Sequence, residues 1–266
     1  MSAVEERPGT LTHRREGRVG VIVFDNQRKF NAVNLAMWQA LPGIVREFEA
    51  DPEVRVVKLV GAGEKAFISG ADISQFDNQR SGDGTAIYNN AVDAGYAAVL
   101  DCVKPTVAVI RGICMGGGLG LALNCDIRIS SDDAKFRMPA ARLGLGYGFA
   151  GLKRFTEVLG PANTADLFFS ARIFGAADAL TMGLVKQVVP AADLERVAGE
   201  YLTMVTENAP LTVAAAKRAL LELRKDPALR DAALVKRMVD ACYASEDYHE
   251  GRKAFAEKRT PNFKGR

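Results

Sequence analysis

The chain has 266 residues, 48% of them hydrophobic and 25% charged, with a formal net charge of +3 at pH 7. That length and balance suit one large buried core, or a core with a small appendage, and exclude disorder as the organising theme. The weak charge, with no long block of one sign before the Lys/Arg-rich tail, excludes a nucleic-acid footprint and favours an anionic small molecule as ligand.

In chain order, residues 1–18 are polar and charged, broken at Pro8 and Gly9, and read as a frayed lead into an edge strand. They hold no apolar signal core, and the longest apolar glycine-rich run, 112–125, falls short of the ~18–20 residues that span a bilayer, so no membrane partner is expected. Residues 19–24 form the first clear strand, and 25–31 a polar turn. Residues 33–50 carry Leu35, Trp38, Leu41, Ile44, Val45 and Phe48 at helical spacing, with Asn31 or Asn34 as N-cap and Asp51-Pro52 as the stop. A strand at 55–60 completes a β-α-β unit and leads into a turn at Gly70, Ala71 and Asp72. Residues 74–84 are polar and predict a mobile loop beside a site. A helix at 86–102 follows, then a β-branched strand at 106–110, a core helix at 119–125 and a strand at 126–130. Residues 152–159, 161–170 and 176–182 read as helices, 185–189 as a strand, and the chain from Asp193 onward as long helices. Alternating strands and helices define a mixed α/β fold, with a soft boundary that divides an α/β core, 1–192, from a helical region, 193–266.

Chemistry concentrates where the apolar strand 106–110 runs into Gly116, Gly117 and Gly118. Glycines at a helix start let a ligand approach the backbone, and the first N–H groups there have no intrahelical partner and carry the positive end of the dipole. Such a turn suits developing negative charge, although a turn that needs glycine for packing alone has the same sequence. The other chemistries find less footing. Cys102, Cys114, Cys125 and Cys242 lack a Cys-x-x-Cys spacing and read as the reduced, structural thiols of a cytoplasmic protein, with no metal implied. His13 and His249 lie in polar, charged stretches away from the glycine turns, which weakens a histidine triad or a metal site. Gly146, Gly148 and Gly151 match a dinucleotide fingerprint, with Asp166 about twenty residues on, but no strand precedes them and Asp166 sits within a helical pattern.

Four dispersed stretches, 28–33, 65–76, 104–130 and 255–263, together resemble the crotonase (enoyl-CoA hydratase/isomerase) superfamily from about Val19 to Arg266. The resemblance implies a crotonase-like ββα spiral core, with a C-terminal helical oligomerisation region that packs subunits into a trimer or dimer of trimers. It implies an acyl-CoA thioester as substrate, with coenzyme A as part of that substrate and no separate cofactor. The N–H groups of Ala71 and Gly117 then form an oxyanion hole for the thioester carbonyl. Ser69, Asp72, Ile73 and Gly116 belong to the same two turns, with Asp72 a turn and cap residue rather than a base. The polyanionic end of coenzyme A calls for cations, for which Arg28, Lys29 and Lys65 precede the turns. Phe255 and Lys258 are expected at its adenine end, often in a neighbouring subunit.

The pattern breaks at the acid/base positions. The two glutamates of the family's hydratases fall on Gly120 and Ala140, and a carboxylate of its dienoyl isomerases falls on Gly148, none of which can transfer a proton. Restoring both glutamates, Gly120→Glu with Ala140→Glu, is expected to raise hydration only if both side chains reach the acyl carbons. Tyr147 matches a tyrosine of the family's methylmalonyl-CoA decarboxylases and can hold a departing carboxylate or protonate an enolate, although those enzymes have a histidine at the position of Ala71. Arg137 and Arg142 flank this stretch as candidate carboxylate partners. Decarboxylase-like or other lyase chemistry is therefore the leading expectation. The alternatives are a hydratase or isomerase with a base from residues 74–100, and a non-catalytic CoA-ester-binding protein.

Overall fold

The computed structural model of the chain describes residues 8–72 and 83–266. Ile73 and the polar stretch from 74 to 82 lie outside the described residues. The strands are β1 (Thr10–Glu16), β2 (Val19–Asp25), β3 (Val56–Gly61), β4 (Ala66–Ile68), β5 (Thr106–Ile110), β6 (Ile113–Met115), β7 (Ile127–Ser131), β8 (Lys135–Arg137), β9 (Phe174–Gly175) and β10 (Gln187–Val189). They form a larger sheet in the order β1-β2-β3-β5-β7-β10 and a smaller one in the order β4-β6-β8-β9. The helices are α1 (Leu35–Ala50), α2 (Asp83–Leu100), α3 (Gly117–Asn124), α4 (Phe149–Ser170), α5 (Ala176–Thr181), α6 (Leu194–Glu207), α7 (Pro210–Leu223), α8 (Ala232–Tyr243) and α9 (Glu246–Glu257).

The chain repeats one step. A strand of the large sheet is followed by a three-residue strand of the small sheet and then a helix: β3-β4-α2, β5-β6-α3 and β7-β8-α4. This is a ββα spiral. Apart from the β1–β2 hairpin, the large sheet is parallel, and so are the β4–β6 and β6–β8 pairs. Parallel strands are covered on both faces and read as continuous apolar runs, and every residue of β5 is buried. On one face Ala108 and Ile110 join a core with Trp38, Leu41, Phe67, Leu119 and Phe136. On the other, Val107 and Val109 join Val56 and Ile129 beneath Leu194, Ala198 and Leu202 of α6. Thus α6 roofs the sheet.

Helix α1 starts where Asn34 accepts a hydrogen bond from the Met37 N–H, so Asn34 is the N-cap. Asn31 is instead buried in the turn, with its amide bonded to the carbonyls of Ala62 and Ala66. Gly160 breaks the helical conformation inside α4, at φ 76° and ψ 165°, directly before Pro161, which agrees with the two helices read there. The sequence reading needs correction elsewhere. Residues 10–16 are a complete strand, paired with β2 from Thr10↔Asp25 to Glu16↔Val19, and only residues 187–189 of the stretch 185–189 are strand. The short strands of the small sheet have no counterpart in that reading. Leu202, on the apolar face of α6, is buried within the chain against the sheet and is not left for a partner subunit.

Candidate active site

The two glycine turns leave the same ends of neighbouring strands: the 70–72 turn follows β4 and the 116–118 turn follows β6, its parallel partner. Sites at the carboxyl ends of parallel strands are the rule in α/β folds. Val33 donates to the Gly70 carbonyl at 2.8 Å and accepts from the Asp72 N–H at 3.0 Å, forming a parallel bridge with Ala71. Alternation of the strand then directs the Ala71 N–H away from Val33, towards α3. Across the gap, Gly116 caps α3 with φ 52° and ψ −121°, a conformation that L side chains disfavour, and Gly118 presses on β4 so closely that a Cβ would lie 2.3 Å from the Ile68 carbonyl oxygen. Gly117 opens the helix. A Cβ there would stand 4.0 Å from the Ala71 nitrogen, and one on Gly70 3.9 Å from the Gly117 nitrogen. Among the described residues, no turn, loop or cap hydrogen bond uses the N–H of Ala71 or Gly117. Among the described residues, these two N–H groups thus lie close together at the positive end of a helix.

Beside them stand two phenols. Tyr96, from α2, donates its hydroxyl to the Gly117 carbonyl at 2.9 Å and packs edge-on against Trp38, with ring centroids 5.4 Å apart. Tyr147 is held edge-on by Phe168 and Phe155, at 4.9 and 5.9 Å, and its hydroxyl borders the same point beside Gly120 as that of Tyr96. Burial pushes the Tyr147 hydroxyl up to about 12 and that of Tyr96 well above the ordinary phenol value, so both keep their protons at neutral pH. Trp38 in turn donates to the Tyr88 hydroxyl at 3.2 Å.

The hydroxyls fill the space next to Gly120. A Cβ on Gly120 would lie 2.4 Å from Tyr96 Oη and 3.2 Å from Tyr147 Oη. A glutamate therefore does not fit at position 120 while Tyr96 keeps its place, so the condition set on restoring the two glutamates, that both side chains reach the acyl carbons, depends on Tyr96. Tyr96 stands beside Gly117 and Gly120, and sequence reasoning did not single it out. Within the helical pattern it is one more aromatic, and its only signal is indirect: a glycine inside the apolar helix α3.

The other predicted residues divide. Lys29 pairs with buried Asp72 at 3.1 Å, and Ser69 donates its hydroxyl to the Lys29 carbonyl at 3.0 Å, so the 28–33 and 69–72 stretches form one unit. Arg28 and Lys65 are exposed, and Ala140 is buried at the start of a short 3-10 turn. Arg142 is exposed, whereas Arg137 is engaged with the Ala171 carbonyl at 2.7 Å. Phe255 is 88% exposed and Lys258 caps α9 with φ 53°. Phe255 borders an apolar cavity of about 650 Å³, lined wholly by residues 209–263, to which neither glycine turn contributes.

His13 pairs with Glu47 at 2.9 Å on the surface, and among the described residues no cluster of His, Cys, Asp or Glu is placed to hold a metal ion. Asp166 lies within α4 and pairs with Arg172 at 2.8 Å, away from any dinucleotide geometry. Among the described residues no helix is long and apolar enough to cross a membrane.

Spiral and paired turns together define a protein of the crotonase fold. The solved structure of an enoyl-CoA hydratase/carnithine racemase from Magnetospirillum magneticum superposes with a TM-score of 0.89 at 32% identity, covering 96% of each chain. A family model described as enoyl-CoA hydratase/isomerase matches residues 14–266, and the chain belongs to that family. Among its relatives, a short-chain-enoyl-CoA hydratase of Clostridium acetobutylicum is 34% identical over 250 residues, covering 92% of this chain and 94% of that protein. A carnitinyl-CoA dehydratase of Escherichia coli O157:H7 is 33% identical over 256 residues, covering 95% and 97%.

Proposed function

We propose that the protein is an acyl-CoA-processing enzyme that stabilises a thioester enolate between the N–H groups of Ala71 and Gly117, and that it is not a standard hydratase. Relatives named for hydration and dehydration of CoA thioesters support the substrate class. Preorganised backbone donors at a helix start act on charge as it develops and cost no reorganisation at the moment of reaction. The observation that carries the second half is the crowding at Gly120: the volume of a would-be general acid is occupied by the hydroxyls of Tyr96 and Tyr147.

The enolate must then arise without a carboxylate base at 120 or 140. Loss of carbon dioxide from a malonyl-type thioester achieves this. The bond between the α-carbon and the carboxylate breaks, carbon dioxide departs, and the electron pair moves into the enolate, whose oxygen rests on the two N–H groups. Tyr147 gives its proton to the α-carbon and later regains one from water. A phenol that keeps its proton at neutral pH suits this acid role. Hydration or isomerisation by a base from residues 74–100 is the second reading, favoured by the names of the relatives. Of that stretch, the described part brings Tyr88 and Tyr96 to the site, while Asp93 is exposed on α2.

The working form is a trimer or dimer of trimers in the cytoplasm, supported by the exposure of Leu220, Leu223, Val239, Tyr243 and Phe255 along α7 to α9. Incubation with a panel of acyl-CoAs, followed by mass measurement of the products, tests the reading. Loss of carbon dioxide is the expected result. Gain of water at a rate near 10 s⁻¹, roughly the enzyme median, refutes it, and binding without any mass change leaves a CoA-ester-binding protein.

A further inference from the structure

Tyr96 has no part in the site implied by sequence, yet it stands between Gly117 and Tyr147, two of the groups that the proposed reaction uses. Its hydroxyl is 2.9 Å from the carbonyl of Gly117, the residue whose N–H lies close to that of Ala71. It shares the space beside Gly120 with the hydroxyl of Tyr147, which a Cβ on Gly120 would meet at 3.2 Å. A Cβ on Gly117 would lie 3.6 Å from the Tyr96 hydroxyl, and one on Gly120 2.4 Å. Glycine is the least favourable helix residue short of proline, and at position 120 it sits inside α3. Any other residue there would displace the Tyr96 hydroxyl.

Proton accounting gives the pair a direction. A phenol has one proton to donate. Tyr96 gives its own to the Gly117 carbonyl, which leaves its oxygen to accept from the neighbouring Tyr147 hydroxyl and not to donate to it. When Tyr147 loses its proton to carbon, its oxygen becomes the better acceptor, and the Tyr96 O–H turns from Gly117 to the new phenolate. The neighbouring Tyr96 hydroxyl holds that of Tyr147 below the value that burial alone would give it.

We propose that Tyr96 is a positioning residue for proton delivery: anchored on the Gly117 carbonyl, it orients the Tyr147 hydroxyl and then stabilises the Tyr147 phenolate left after transfer to the α-carbon. The inference rests on the decarboxylative reading above and deepens it. Bonds balance: the Tyr147 O–H bond breaks, a C–H bond forms from the enolate pair, and water restores the proton to Tyr147.

The test uses the intact protein and a 2-substituted malonyl-CoA in D2O, where the configuration of the deuterated product reports which face of the enolate is protonated. Wild-type protein should give one configuration. Tyr96→Phe should lower kcat by about 10–100-fold, the worth of one hydrogen bond to a charged group, with KM within about twofold and a mixed configuration as water competes with misoriented Tyr147. Gly120→Ala reaches the same hydroxyl from the other side, so it should give the same signature, and the double variant should be no worse than either single one. Tyr96→Phe with wild-type kcat, or with lowered kcat but one pure configuration, overturns the role, since the latter would mean that Tyr96 acts only through the Gly117 backbone. Failure of wild-type protein to decarboxylate any such thioester refutes the decarboxylative reading and this inference together. Success of wild-type protein with an unaffected Tyr96→Phe refutes the inference alone.

Discussion

Substituting Gly120 by alanine separates packing from propensity. In an open helix position Gly→Ala stabilises by about 0.5–1 kcal/mol. At Gly120 the new methyl meets Tyr96 Oη at 2.4 Å and Cζ at 2.8 Å, distances that side chains do not sustain. Overpacking of this kind costs about 1–3 kcal/mol, and the displaced hydroxyl forfeits its 2.9 Å bond to the Gly117 carbonyl, worth about 0.5–1.5 kcal/mol net. After the helix gain of about 1 kcal/mol is subtracted, Gly120→Ala should destabilise by about 1–3 kcal/mol. For a chain of this size that is a fall in Tm of about 2–10 °C. The internal control is Gly43→Ala in α1, where an added Cβ has nothing within 4 Å. It should leave stability unchanged or slightly raised. In a Tyr96→Phe background the shortest contact disappears, so the penalty for Gly120→Ala should shrink by about 1 kcal/mol, a coupling typical of residues in direct contact. The assay is urea unfolding of the four members of the cycle, followed by circular dichroism. If Gly120→Ala stabilises as much as Gly43→Ala does, Tyr96 does not occupy the space beside Gly120 and the argument from crowding fails.

Other expectations bear on the site, the fold and the assembly. Gly117→Pro places proline at the first helical position, which helices tolerate, and deletes one donor, so kcat should fall by about 10²–10³ with the far-ultraviolet spectrum unchanged. Full activity would remove Gly117 from the oxyanion role. Burial pushes the thiols of Cys102 and Cys125 from an ordinary 9.0 up to about 12, raises that of Cys114 further, and pushes the Tyr147 hydroxyl from 10.0 up to about 12. These groups stay protonated in the folded chain while the unfolded chain releases protons, so their stabilising contribution is complete below about pH 9 and is lost as the pH rises towards 12, by about 1.4 kcal/mol per pH unit for each group in its window. Unfolding free energies measured from pH 8 to 11 should fall with increasing slope, and Cys125→Ala should flatten that slope. Light scattering at micromolar concentration should give the mass of a trimer or hexamer, and Leu220→Asp with Leu223→Asp should reduce it to that of a monomer. A monomeric wild-type chain would contradict the assembly.

Legibility in the sequence follows the physics of each element. Helix α1 and strands β2, β3 and β5 show because they are long enough for a pattern to repeat, and the two glycine turns show because a backbone conformation or a close approach demands glycine at Gly70, Gly116 and Gly118. Strand β1 is hidden by its exposure: nearly all its side chains face solvent, so hydrogen bonds to β2 make it a strand without any apolar alternation. Strands β4, β6 and β8 have three residues each, too few for a period of two to be told from chance. The face of α6 was ambiguous in kind, since an amphipathic helix looks the same whether it covers a sheet or a partner. Yet β5 is apolar at consecutive positions and needs cover on both sides, which favours the sheet.

The same logic explains why Tyr96 stayed hidden while Gly120 did not. Under the family resemblance, glycine at position 120 stands where a hydratase glutamate is expected. Within a packed helix, however, a missing side chain leaves a volume that the interior does not leave empty. Something must enter it, and the entrant comes from α2, a separate turn of the spiral, so no local pattern names it. Tyr147 meets it there because Phe155 and Phe168 fix its ring. On the proposed reading, the glycine at 120 and the phenol pair beside it are thus one feature seen from two elements. It follows that the two cannot be reversed separately: Gly120→Glu with Tyr96 in place should yield a strained protein without hydratase activity, and only a variant that also truncates Tyr96 gives the carboxylate room to act. Efficient hydration by the Gly120→Glu, Ala140→Glu variant with Tyr96 intact, followed as decay of the enoyl-thioester absorbance, would show that the phenols yield their place freely and do not define the site.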